Sequence, residues 1–165
     1  MKADKSKIAA SASAEKQLAG FIAKFEPAHA ELIRECRAEL RQLLPTSVEL
    51  VYDNYNFFVI GFCTTPRASD CIVSIAAAAN GVGLSFYYGA TLPDPEKLLQ
   101  GSGKQNRFVR LPSVEVLRQP GVVALIQAAV AQSKTPLPKT GGGQLVIQSI
   151  SAKQKPRRKA AAVKK

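Results

Sequence analysis

From residue 15 to residue 44 apolar side chains recur every three or four positions, and from residue 48 onward they fall into short β-branched and aromatic runs. The first pattern predicts two helices. Leu18, Phe21, Ile22 and Phe25 mark one stripe, starting near Glu15. Pro27 suits the first turn of the second helix, whose apolar face runs through Leu32, Ile33, Cys36, Leu40, Leu43 and Leu44 before Pro45 stops it. Its other face alternates Glu31, Arg34, Glu35, Arg37, Glu39 and Arg41, a spacing that reads as a solvated face of ion pairs.

The second pattern predicts a meander. Residues 48–52 form a short strand, and 57–64 (FFVIGFCT) are apolar on both faces, as a central strand is. Residues 71–77 return across the turn at 66–69. Asn80-Gly81 tolerates the positive φ of a tight hairpin and leads into 82–88, where Val82, Leu84, Phe86 and Tyr88 share a face. Asp94 and Pro95 open a short helix that Gly101 closes; 107–111 are another strand, and Ser113 caps a brief helix. Pro120 starts a last helix with Val122, Val123, Leu125, Ile126, Ala129 and Val130 as its stripe. The expectation is an α+β domain over residues 15–133. In it an antiparallel sheet of about five strands is packed by an N-terminal helix pair and a C-terminal helix, mainly on one face. Residues 1–14 read as a flexible arm and 134–165 as a Pro/Gly linker with a basic low-complexity tail, both ends disordered. The apolar island at 144–150 is open to addition as a strand. Every strong apolar period lies within 18–132, which predicts that this stretch folds alone.

Charge sharpens this division. The chain of 165 residues carries a formal net charge of +11, yet seven of its last thirteen residues are Lys or Arg with no Asp or Glu among them. The body is near neutral, so the basic balance describes an arm able to dock on a polyanion rather than a nucleic-acid-binding domain. Lys153, Lys155, Arg157, Arg158 and Lys159, with Lys164 and Lys165, are its candidate contacts. No apolar run approaches the length of a bilayer span, and the Ala/Ser-rich stretch after Met1 has Ile8 as its only large apolar residue, too little for a signal peptide. The expected location is the cytoplasm, without membrane contact. Cys36, Cys63 and Cys71 show no C-x-x-C spacing and read as buried free thiols, although Cys63 and Cys71 flank one turn, where a hairpin would let them face each other.

Two polar segments beside apolar strands are the candidates for function. In residues 52–56 (YDNYN) the Asx residues suit a hairpin turn, while Tyr55 and Asn56 offer a hydroxyl and an amide to a ligand. In residues 101–107 (GSGKQNR) glycine-rich backbone beside Lys104 and Arg107 suits either a helix C-cap or an anion cradle. It is not a Walker A loop, because Leu98 stands where the first glycine belongs and Gln105 follows the lysine. Arg107 and Arg110, three apart on a strand, face opposite ways. Tyr87 completes the candidate set. His29 is the sole histidine, and no G-x-S-x-G, H-E-x-x-H or G-x-G-x-x-G occurs. No enzyme, metal site or cofactor is expected.

The stretch from Tyr52 to Pro112, with an amphipathic helix ending at a proline before it and a G-x-G-K-x-x-x-R segment near its end, resembles the bacterial YdhG-like domain, a family of unknown function. The likeness covers residues 18–132. It implies a small α+β domain of frataxin-like character and, through that, iron delivery. The early helix departs from this role, since its glutamates are interspersed with arginines instead of forming an acidic ridge. Three functions follow: a non-enzymatic module for a small ligand or protein partner, non-specific nucleic-acid contact through the tail, and iron handling.

Overall fold

A computed structural model describes residues 5–141 and 143–160, with side chains from Ala12 onward. Helix α1 spans Lys5–Ile22 and α2 spans Pro27–Leu43. Thus α1 begins about ten residues before the expected start. Its added turns come from the Lys/Ala/Ser segment, whose alanines are strong helix formers although they supply no apolar stripe to detect. Pro27 takes the first position of α2, and the Leu44 N–H closes its last turn on the Leu40 carbonyl.

Six strands follow the order β5-β4-β3-β2-β1-β6, with β1 at Val48–Asp53, β2 at Phe58–Cys63, β3 at Cys71–Ala78, β4 at Gly81–Phe86, β5 at Arg107–Arg110 and β6 at Leu145–Ile150. Neighbours β1 to β5 pair antiparallel, which is the expected meander. The sixth strand runs parallel to β1. The domain therefore extends past residue 133, and the apolar island at 144–150 is the sheet's outer strand. The chain enters β6 past Gly143, where an added Cβ would lie 2.5 Å from the Ser47 carbonyl oxygen. Only glycine allows that approach.

Helix α3 (Pro120–Ala131) lies with α1 and α2 over one face of the sheet. Leu18, Phe25, Ile33 and Leu40 from the helices meet Phe58, Ile60, Phe62, Ile75, Leu84 and Phe86 from the strands in one core. The opposite face carries a second, small cluster of buried residues, Val48, Leu50, Cys63 and Cys71, joined by Tyr52 and Val146.

Two expected helices are corrected. Residues 94–97 form a turn, because the Asp94 carboxylate accepts from the Leu98 and Leu99 N–H groups at 2.8 and 2.9 Å and Lys97 takes φ 54°. The five residues between Pro95 and Gly101 are too few to repay helix nucleation. Ser113 makes no side-chain cap and precedes a 3₁₀ turn, Val114–Arg118. The charged face of α2 is also more than a wet surface. Arg37, 13% exposed, reaches Glu15 of α1 and Glu49 of β1, both at 2.7 Å.

A chain ended after Thr140 loses β6 and uncovers Leu50 and Val51. The expected cost is about 3 kcal/mol or more, read as a lower thermal midpoint against the full chain. An unchanged midpoint would mean that β6 rests on the sheet without stabilising it.

Candidate functional site

The uncovered sheet face is built by alternation. Along β3, Ser74, Ala76 and Ala78 point away from the helices, and along β4 Gly81, Gly83 and Ser85 do the same. Small side chains on adjacent strands leave a hollow of about 440 Å³, within the range of ligand sites. Its floor is Ser74, Ala76, Gly83 and Ser85, its walls are Phe57 with Val59 and Phe108, and Asn80, Asn106 and Arg110 stand at its margin. Ser85 Oγ donates to Asn106 Oδ1 at 2.6 Å, tying the loop before β5 to the floor. The Arg110 guanidinium sits 5.9 Å from the Phe108 ring centre. Arg110 lines this face while Arg107 does not, as strand alternation requires.

Phe57 is half exposed and continues the hollow onto a corner of the sheet. There the β1–β2 turn meets the chain leaving β6. Ser151 N–H donates to the Asp53 carbonyl and Lys155 N–H to the Tyr55 carbonyl, each at 2.9 Å. The Lys155 ammonium lies 5.7 Å from the Tyr55 ring centre. At the root of this corner is Asp53, fully buried, with Lys24 Nζ at 2.7 Å and Arg157 Nη2 at 3.0 Å. Arg157 is buried too and also donates to the Asn54 carbonyl, while its Nε and Nη1 are buried without a partner. Arg158 donates to the carbonyls of Lys24 and Ala23, and Gln154 bridges Lys24 and the Asp53 carbonyl. The tail described to residue 160 is thus docked rather than disordered. Arg157 is a structural residue, whereas Lys153, Lys155, Arg158 and Lys159 are exposed. Lys164 and Lys165 lie outside the described residues.

Burial alone would raise the Asp53 carboxyl, but hydrogen bonds from Lys24, Gln154 and Arg157 outweigh it and hold it below its ordinary value. Glu15 is likewise lowered, first by its hydrogen bond from Arg37.

The other candidates separate. Tyr55 and Asn56 stand beyond the row Asp53, Phe58, Ala77 and Val82, while Arg107 belongs to the row of Phe86, Val73, Phe62 and Glu49 at the other end. Those rows are four residues apart, about 13 Å, so Tyr55 and Asn56 share no site with Tyr87, Lys104 and Arg107. Tyr87 packs edge-on against Tyr88 at 4.8 Å. Arg107 folds back onto the carbonyls of Gly103 and Asn106, which makes the glycine-rich segment a self-braced loop. Lys104 on it is exposed. Sequence reading passed over Phe57, Phe108, Arg110 and the floor residues. The signal was present as small residues at alternate positions of two consecutive strands.

Cys63 and Cys71 are register partners across β2 and β3 and are free. The Cys63 thiol is pushed up by its hydrogen bond with Cys71 and by burial, and burial pushes Cys36 up to about 12. Among the described residues no three His, Cys, Asp or Glu side chains gather to hold a metal ion, and no helix is long and apolar enough to cross a membrane. Set against protein-family models, curated proteins and solved structures, the chain matches none of them.

Replacing Asp53 by Asn leaves Lys24 and Arg157 without their counter-charge and is expected to cost about 3–5 kcal/mol. Because the folded-state value is lowered, the Asp53 contribution is complete above the unfolded value near 3.8 and is lost as pH falls through the folded one. Acid unfolding of wild type and D53N should therefore converge below that window and differ above it. Parallel curves throughout would contradict the assignment.

Proposed function

We propose that the protein is a non-enzymatic binding module of the YdhG-like kind, which holds a flat, negatively charged ligand on the open face of its sheet. The observation that carries this reading is the hollow between Phe57 and Phe108. Two aromatic walls accept an unsaturated ring system, the Asn80 amide, the Asn106 amide nitrogen and the lone pairs of Ser85 Oγ offer hydrogen bonds to its edges, and Arg110 supplies the positive charge. A second hollow, of about 150 Å³, lies between Tyr88 and α3. There Gln132 and Thr91 are engaged with the Tyr88 carbonyl and with each other, which leaves less for a ligand.

The three free, buried thiols suit a reducing compartment, and we place the module in the cytoplasm. Iron handling draws little support from α2, where Glu31 pairs with Arg34 and Glu39 with Arg118, each at 3.3 Å.

The test is amide chemical-shift mapping with aromatic carboxylates and nucleoside monophosphates as probes. Shifts are expected at Ser74, Ala76, Gly83, Ser85 and Phe108, and Ala76→Phe, which fills the floor, should abolish them while the remaining spectrum stays folded. Shifts confined to residues 87–107, or binding that survives A76F, would overturn the reading.

A further inference from the structure

We propose that the ligand of this face is a single-stranded nucleic acid, with bases stacked on the aromatic side chains and phosphates following the rim of the sheet toward the docked tail. The inference rests on the binding face just described and adds to it a geometry that only the folded tail creates. Along one edge of the sheet the order is Arg110 at the end of β5, Asn80 in the β3–β4 turn, Tyr55 and Phe57 at the β1–β2 turn, and Lys153 and Lys155 beyond β6. Five strand spacings separate the ends of this row, about 24 Å. That is a track, with cations at both ends and aromatic rings between them.

Each component matches a need of an unpaired strand. Tyr55 and Phe57 are both 50% exposed, and Phe108 stands across the hollow, so rings are available as stacking platforms for successive bases. Ser74, Asn80 and Asn106 lie between them, able to meet base edges. Lys153, Lys155, Arg158, Lys159 and Arg110 form no ion pair with any carboxylate among the described residues. Asp53, the carboxylate buried at the corner, is already shared by Lys24 and Arg157. The corner thus carries uncompensated positive charge, complementary to a phosphate backbone. A duplex keeps its bases stacked on one another and offers these rings nothing. A membrane surface would call for an aliphatic patch, whereas among the described residues the exposed large apolar side chains at this edge are Tyr55, Phe57 and Ile150, of which only Ile150 is aliphatic, in register with Asp53 on the helix-covered side.

Fluorescence anisotropy on the full chain tests the proposal, using labelled single strands of roughly 12 nucleotides, the matching duplexes, and phosphatidylserine vesicles. Single strands should bind at least tenfold more tightly than duplex, with a log–log salt slope of about −0.7 per phosphate contacted. Phe57→Ala should weaken binding about tenfold and leave the slope unchanged. Replacing Lys153, Lys155, Arg158 and Lys159 by Gln should flatten the slope. Phe57 is half exposed, so its removal tests stacking without unfolding the core, and a thermal melt of each variant confirms this. Equal binding of duplex and single strand, wild-type affinity in F57A, or binding of vesicles in preference to oligonucleotides would overturn the proposal. Mononucleotides that shift the hollow while oligonucleotides bind no tighter would also overturn it, and would leave the small-ligand reading standing. Absence of binding by either would remove both.

Discussion

The fold turns on one buried carboxylate. Asp53 ends β1 on the helix-covered face, where an unpaired negative charge would cost several kcal/mol. Two cations answer it from distant parts of the chain, Lys24 from just after α1 and Arg157 from the tail. Burying the end of β1 is least costly when both arrive, and the Asp53 cluster so ties the C-terminal segment to the domain. Glu49, four residues earlier on the same face, repeats the arrangement with Arg37 of α2. The first strand thus presents two carboxylates to the helical layer, each answered by a cation from outside the sheet, with Val51 between them in the core.

The division of labour between the two faces follows. Charge pairing and apolar packing are spent on the side under the helices. The far side keeps small residues on β3 and β4 and aromatic residues at their margins, so it neither needs a helical cover nor fills itself in. Docking of β6 and of residues 151–159 at one corner brings tail cations to the edge where Tyr55 and Phe57 are exposed. A stretch that would be a free basic arm becomes one wall of a defined surface.

Local periodicity made the helices, the four antiparallel pairings and the Asn80-Gly81 turn legible in the sequence. It left 144–150 open as an added strand and named no partner, because a parallel partner about a hundred residues away leaves no short-range mark. It missed the early turns of α1 since alanine and serine carry no stripe, and it overread Asp94, whose carboxylate closes a turn instead of capping a helix. For the candidate site, Tyr55 was visible as an exposed turn residue and Lys155 as part of a charge run. Their contact was not visible, because it depends on Arg157 finding Asp53. Glu49, Val51 and Asp53 alternate with Leu50 and Tyr52 on one strand, but Asp53 reads in the sequence as a turn residue, and the cations that answer both carboxylates lie on other elements. The floor of small residues was hidden for a simpler reason, since Ser, Ala and Gly in a strand look like weak packing until the neighbouring strand shows the same pattern in register.

Amide hydrogen exchange on the full chain measures most directly whether the tail belongs to the fold. The Ser151 and Lys155 amides, bonded to the carbonyls of Asp53 and Tyr55, should exchange far more slowly than an unstructured peptide. Arg157→Gln should release Lys155 while the centre of β2 and β3 stays protected. Tail amides exchanging at unstructured rates in the wild-type protein, with the sheet still protected, would contradict the account.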